Sequence, residues 1–355
     1  MVDQAKVLHQ AYEVSAQWFD QVSLSPLGNG HIHHTFLLAS SQHQTHFVLQ
    51  RVSENVFPNP YLVQRQTQRI TDHLLKNEEF SKRYRVPKLQ PCKNGEFHYV
   101  AQSGFWRVWQ YLDNTQVVES FEVPTQIALT ARAFADYQRV LADLPGEPLV
   151  ETIEGFLQLD FYLQNFSLVA ENLPRDLENS VARLRKRDLG FSEFNAHVHA
   201  DCKVNNLLFN VQATRVAAVI DLDTTMYGHW AWDFGDLVRS IAFSRGRVDL
   251  YDYQKAAEGF LQGLQKPVTE QTVQEMAKVP GHIAGMLGLR FLTDHLMGDV
   301  YFRISEPGQN LQRAREQFVL MRQFDDNYEH MKDIVKGLSE KLAKQSYLTD
   351  YQIFP

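Results

Sequence analysis

The residues able to do chemistry gather in one stretch, His199 to Asp236. It opens His199-Ala-Asp201-Cys-Lys203-Val-Asn-Asn206 and runs into Leu207-Leu208-Phe209. After a short gap come Val216-Ala-Ala-Val-Ile220-Asp221-Leu-Asp223, then Trp232-Asp233-Phe-Gly-Asp236. Asp201 offers a carboxylate to a substrate hydroxyl, and Asn206, five residues on, offers an amide oxygen to a metal ion. Asp221 ends an apolar run that reads as a buried strand and brings a second carboxylate to the metal. The layout suits phosphoryl transfer, where the protein works by positioning and charge neutralisation. A lone His-x-Asp-x-x-x-x-Asn also arises by chance in surface turns. Its company with Ile-Asp-Leu-Asp and Trp-Asp-Phe-Gly-Asp makes chance a poor account.

Protein kinases use the same order of catalytic-loop Asp, Asn five residues later, and metal-binding Asp beyond. The stretch resembles the aminoglycoside phosphotransferase/choline kinase superfamily. Within it, the sequence is most similar to the N-acetylhexosamine 1-kinases, which share His-x-Asp-x-Lys-x-Asn-Asn, Ile-Asp-Leu-Asp-Thr and Tyr/Trp-Asp-Phe-Gly-Asp. The resemblance runs from about Gly28 to Arg303 and is closest over 197–240 and 286–303. It implies an α+β, bilobal protein-kinase-like fold with a small β-rich N-lobe and a larger, mostly helical C-lobe. The expected division is an N-lobe over 1–108, a hinge over 109–115 and a C-lobe over 116–355.

The resemblance also implies ATP, Mg²⁺ and a small-molecule sugar. The acceptor would be the anomeric hydroxyl of N-acetylglucosamine or N-acetylgalactosamine, and the product its 1-phosphate. Asp201 would orient the acceptor hydroxyl, since a free Asp titrates near ~4 and is a weak base. Asn206 and Asp221 would hold Mg²⁺. Lys203 would stabilise the transferring phosphoryl group. Asp223 is expected either to support the metal site or to touch the sugar. Asp233 is expected to prop the catalytic loop through backbone N–H groups, and His199 to hold it. A similar Arg-Phe-Leu-Thr-Asp run in those kinases makes Arg290 and Asp294 sugar-side candidates. The same chemistry on another sugar, an amino alcohol or an aminoglycoside is the first alternative; a non-catalytic nucleotide-binding protein is the second.

The elements that must position these residues follow in chain order. Residues 5–22 have helical spacing. Leu27-Gly28-Asn-Gly30-His31 is a turn whose glycines let backbone N–H groups approach phosphates; a similar Gly-x-Gly-His-Ile segment in the N-acetylhexosamine kinases implies that His31 lines the phosphate or sugar side, with a surface-loop His the equal alternative. A second strand, His46 to Val52, follows at hairpin distance. A kinase places its phosphate-pairing Lys there; here Arg51 is the nearest cation. The next helix, Tyr61 to Lys76, carries Gln64, Gln66 and Gln68 but no Glu to pair with it. These departures motivate the non-catalytic alternative. Residues 84–100 read as strands, and Trp106 to Asp113 as strand and hinge, where the backbone of Gln110, Tyr111 and Leu112 would meet adenine. From about 120 the texture is helical: Pro124 to Leu144, Asn179 to Lys186, Tyr251 to Leu264, Thr269 to Met276, and a long, mostly solvated stretch from Leu311 to Leu342.

Composition narrows the partners. A net charge of −7 with no long Lys/Arg block argues against nucleic acid or an anionic membrane. No apolar run nears the ~20 residues needed to span a bilayer. The polar start and two distant cysteines, Cys92 and Cys202, point to a cytoplasmic protein without disulfides. Cys202, beside Asp201, is expected to be a small, inert packing residue.

Overall fold

The computed structural model describes residues 4–28, 32–41, 43, 45–187 and 194–351, with side chains to residue 344. Helix α1 (Gln4–Ser15) leads into an antiparallel sheet of β1 (Val22–Pro26), β2 (His34–Ser40), β3 (His46–Arg51), β4 (Tyr99–Ala101) and β5 (Gly104–Gln110), ordered β1-β2-β3-β5-β4. Successive side chains in a strand point to opposite faces. Phe36, Leu38, Phe47, Leu49, Trp106 and Val108 therefore share one face, where they pack with Val7, Ala11, Val14, Trp18 and Phe19. The other face carries Gln50 and Arg107, opposite one another in the β3–β5 ladder. Burying one such apolar side chain is worth about 1.5–3 kcal/mol, so this cluster fixes which face is left for chemistry.

Helix α2 (Pro60–Lys76) starts with Asn59, whose side chain accepts the Leu62 N–H at 3.0 Å, and with Pro60 in its first turn. Its Val63 packs with Val52, Phe57 and Phe105. Short helix α3 (Glu78–Arg83) follows. Residues 84–100 form one isolated bridge, Leu89 to Trp109, and then β4, rather than the several strands expected. A Pro at 87 and another at 91 remove ladder donors there.

The rest is mostly helical: α4 (Pro124–Val140), α5 (Leu159–Ser167), α6 (Glu178–Arg185), α7 (Ala231–Arg245), α8 (Leu250–Leu264), α9 (Glu270–Leu296), α10 (Gln309–Asp326) and α11 (Tyr328–Tyr351). The helix expected over Thr269 to Met276 extends much further: α9 runs unbroken for 27 residues and accommodates Pro280 inside it. The stretch from 311 is two helices meeting at Asn327. It is less solvated than expected, because Ala314, Phe318, Leu320, Met321 and Phe324 join the core. Helix α8 lies very close to α4: a Cβ on Gly259 would sit 2.0 Å from the Ala128 carbonyl oxygen.

Two small sheets carry the candidate catalytic segments. One is β6 (Thr115–Val117), β8 (Leu207–Asn210) and β9 (Val216–Val219); the other pairs β7 (Ala196–Val198) with β10 (Met226–Gly228). The architecture is the α+β, two-lobed one expected, with strands first and helices after. No helix among the described residues is long and apolar enough to cross a membrane.

Candidate active site

Strand β7 ends at the catalytic loop. Ala200 there has φ +65°, a left-handed conformation that costs a residue bearing a Cβ. Asp233, in the first turn of α7, holds it: its carboxylate accepts the N–H of His199 at 3.0 Å and of Ala200 at 2.9 Å. His199 Nε2 donates to the Ile220 carbonyl at 3.0 Å, and Thr224 Oγ1 donates to the His199 carbonyl at 2.9 Å. The loop is thereby tied to the segment that carries Asp221.

Asp201 follows, with an asymmetric carboxylate. Asn206 Nδ2 donates to Oδ2 at 2.9 Å and to the Asp201 backbone carbonyl at 2.8 Å. Lys203 Nζ lies 2.9 Å from the same Oδ2. Both partners converge on Oδ2 and not on Oδ1. Burial works to raise the Asp201 pKa, but the Lys203 ammonium, His199 and the Asn206 amide outweigh it and hold the carboxyl below its ordinary value. Cys202 is buried in the same loop; burial and the carboxylates of Asp233 and Asp236 push its thiol well up, as an inert packing role requires.

The β8–β9 pairing, with Leu207 opposite Val219, brings the two metal candidates together, and the Ile220 N–H donates to the Asn206 carbonyl at 3.0 Å. Asp221 then turns into the left-handed region (φ 62°, ψ 58°), which aims its exposed carboxylate away from the strand direction. The surrounding protein, then Asp223 and Asp201, raise its pKa. A carboxylate and a side-chain amide on adjoining strand ends offer oxygen donors of the kind a hard divalent cation such as Mg²⁺ takes, although His33 and Lys203 offset part of the Asp221 charge. His33, Asp221 and Asp223 also lie within 4.8 Å of one another. That trio is a poorer metal set, because both oxygens of Asp223 are already engaged.

Asp223 is the most heavily bonded carboxylate of the site. Arg107 donates to it twice, Nη1 to Oδ1 at 2.9 Å and Nη2 to Oδ2 at 2.6 Å. Thr67 Oγ1 of α2 reaches Oδ1 at 3.3 Å, and His33 Nε2 lies 3.0 Å from Oδ2. The Ser53 N–H donates to His33 Nδ1, so Nε2 carries the proton that Asp223 accepts. Gln50 Oε1 holds the other edge of Arg107, at 2.9 and 2.6 Å. Side-chain exposure is 2% for Arg107 and 1% for Asp223. Burial would raise the Asp223 pKa, but Arg107 and His33 outweigh it and hold the carboxyl well below the usual carboxylate range. Of the two roles expected for Asp223, the structure leaves no free oxygen for a sugar.

The cation on the cleft face is thus Arg107, and this corrects the expectation for Arg51. Arg51 shares its face with Phe47 and Leu49 and points toward α1, its Nη1 3.5 Å from Gln10 Oε1. The sequence held one signal for Arg107, a lone charge inside the apolar strand Phe105-Trp-Arg-Val-Trp109. His33, Gln50 and Thr67 gave none. The glutamines of α2 serve elsewhere: Gln66 exchanges two hydrogen bonds with the Val150 backbone, and Gln64 donates to the Phe97 carbonyl.

The remaining candidates divide. Gly28 takes φ +70° in the β1–β2 connection, whereas Gly30 and His31 lie outside the described residues. The N–H of Gln110 is used by the Lys88 carbonyl and that of Tyr111 by the His46 carbonyl. Leu112 keeps the N–H that no described protein group occupies. Asp294, expected at the sugar, closes a turn instead: it accepts the N–H of Tyr301 and Phe302 and the Asn310 amide, at 2.7 to 2.9 Å. Arg290 lies in a box of rings, with its guanidinium 5.2–5.5 Å from the centroids of Phe156, Tyr162, Tyr301 and Phe302.

Comparison with known proteins agrees with the fold. A model of the phosphotransferase enzyme family, APH, matches residues 23–267. The fold is similar to that of an aminoglycoside phosphotransferase from Alicyclobacillus acidocaldarius, with 11% identity, TM-score 0.61, and 95% of this chain and 97% of that one covered. It is similar also to a choline/ethanolamine kinase family protein from Mesorhizobium loti, with 15% identity, TM-score 0.59, and 94% and 98% covered. A third structure, the GDP complex of aminoglycoside 2'-phosphotransferase-IIIa, matches at 11% identity and TM-score 0.59 over 88% and 98%.

Proposed function

The chain belongs to the phosphotransferase enzyme family, a match spanning well over half its length, and from that premise we propose that it is an N-acetylhexosamine 1-kinase. It is a phosphotransferase acting on a hydroxyl of a small molecule. Its donor, in our reading, is Mg-ATP, and its acceptor the anomeric hydroxyl of N-acetylglucosamine or N-acetylgalactosamine. One observation carries the catalytic part: the Asp201 carboxylate is clamped through Oδ2 alone, beside Asn206 and Asp221. The acceptor rests on the sequence patterns of 199–206, 220–224 and 290–294.

In this mechanism Asp201 Oδ1 accepts the hydrogen bond of the acceptor hydroxyl and aims its oxygen in line. A carboxyl held below its ordinary pKa is a weak base, so its main work is orientation, with the proton arriving late in a loose transition state. Asn206 Oδ1 and Asp221 would hold the cation, Mg²⁺, which would supply positive charge against that developing on the phosphoryl group. Lys203 both fixes Asp201 and places a positive charge beside the path of the phosphoryl group. Arg107 keeps Asp223 ionised and so holds the turn from which Asp221 projects.

The test is ADP release with Mg-ATP against a panel of free sugars, followed by phosphorus NMR of the product. Turnover with N-acetylglucosamine or N-acetylgalactosamine, giving a phosphorus signal coupled to the anomeric proton, is the expected result. Turnover only with other acceptors would remove the N-acetylhexosamine assignment and keep the phosphotransferase.

A further inference from the structure

The left-handed backbone of Asp221 is one that a residue bearing a Cβ holds only where its surroundings fix it. The fixing comes two residues on, at Asp223, and one arm of that grip is His33. This histidine directly precedes β2 in the first lobe, 190 residues before Asp223.

Its ring is held on three sides. One face stacks on Phe57, with centroids 5.4 Å apart and planes at 21°. The Ser53 N–H donates to Nδ1 at 3.1 Å, and Nε2 donates to Asp223 Oδ2 at 3.0 Å. A nitrogen of His33 and one oxygen each of Asp221 and Asp223 lie within 4.8 Å of one another. A histidine beside two carboxylates has the makings of a transition-metal site. Here the Ser53 amide takes the Nδ1 lone pair and leaves the proton on Nε2, so the ring is a donor and not a ligand. Arg107 also grips Asp223, but it arrives from β5; His33 is the arm that stands next to the Asp221 carboxylate. Loss of the ring leaves room there, into which that carboxylate can turn away from Asn206.

We propose that His33 is a positioning residue of the cation site: it anchors the turn 221–224 to the first lobe and so keeps the Asp221 carboxylate presented beside Asn206. This rests on the reading of Asn206 and Asp221 as the holders of the cation.

The experiment titrates Mn²⁺, a paramagnetic stand-in for Mg²⁺, into the full chain and follows free and bound ion by EPR. Wild type, His33→Ala, His33→Gln and Asp221→Asn are compared, each with and without ADP. His33→Ala should weaken Mn²⁺ binding about tenfold or more, as loss of a group that orients a metal ligand does. His33→Gln keeps an N–H donor for Asp223 and should restore most of the affinity. A second arm needs no variant: pulsed EPR of Mn²⁺ in the wild type should show no directly bound histidine nitrogen. Unchanged or tighter binding in folded His33→Ala, no recovery in His33→Gln, or a bound histidine nitrogen would each overturn the role. Asp221→Asn separates the two readings. Affinity lost in Asp221→Asn but kept in His33→Ala sinks the role of His33 alone, whereas affinity kept in Asp221→Asn removes the cation site on which that role rests.

Discussion

Asp201 has one oxygen held by the protein and one open, and the substitution that probes this is Asp201→Asn. The amide cannot take a proton and presents a donor where an acceptor is required. Turnover should fall about 10²- to 10⁴-fold with nucleotide affinity nearly unchanged. Steady-state kinetics alongside calorimetric titration of nucleotide would show it, and undiminished turnover would end the role given to Asp201. Asp201, Asn206 and Asp221 were legible because their spacing along the chain is itself the chemistry. Arg107 was not. Which of Arg51 and Arg107 faces the cleft depends on which sheet face α1 covers, and no local pattern at either residue states that. Asp223 and Asp294 looked like free acids in sequence. Their hydrogen-bond partners come from 116 residues away in one case and from a tight turn in the other.

Helices were largely legible, since apolar spacing marks their buried faces, and α2, α4, α6 and α8 lie within a few residues of expectation. The unbroken α9 was harder to see because Pro280 reads as a stop. Burial against α7 and α10 keeps the helix going past it. Helix α9 also buries His282, whose pKa is lowered to about 3 by burial first, then by the charges of Arg187 and His229. The unfolded chain binds a proton below about pH 6.5 that the folded chain refuses. Stability from this group is thus complete above pH 6.5 and is lost as pH falls. Between pH 6.5 and 5 the loss is roughly 2 kcal/mol, at about 1.4 kcal/mol per unit. Denaturant titrations at both pH values should show that difference, and His282→Gln should reduce it. The contact between α8 and α4 makes a separate prediction. Gly259→Ala places a methyl against the Ala128 carbonyl and should cost about 1–3 kcal/mol or more. A lowered denaturation midpoint checks this, and an unchanged one would mean that the helices part freely.

Across the whole molecule, the two lobes were legible from the switch between strand-like and helix-like texture near residue 120. The way they are fastened was not, because nothing in the sequence says that Arg107 and Asp223, 116 residues apart, meet. Arg107 belongs to the first sheet and Asp223 to the loop after β9. Arg107→Met should destabilise the protein by about 3–5 kcal/mol, since it strands a buried carboxylate. Arg107→Met combined with Asp223→Leu should recover part of that loss, measurable in a double-mutant cycle; strict additivity of the two would contradict the pairing. Helix α2 adds further ties between the same parts: Gln66 to the Val150 backbone, Arg69 to the Pro145 and Glu147 carbonyls, and His73 to the Val140 carbonyl. Fastening spread over several points behaves as a seam does, so losing one stitch should loosen the joint without freeing it.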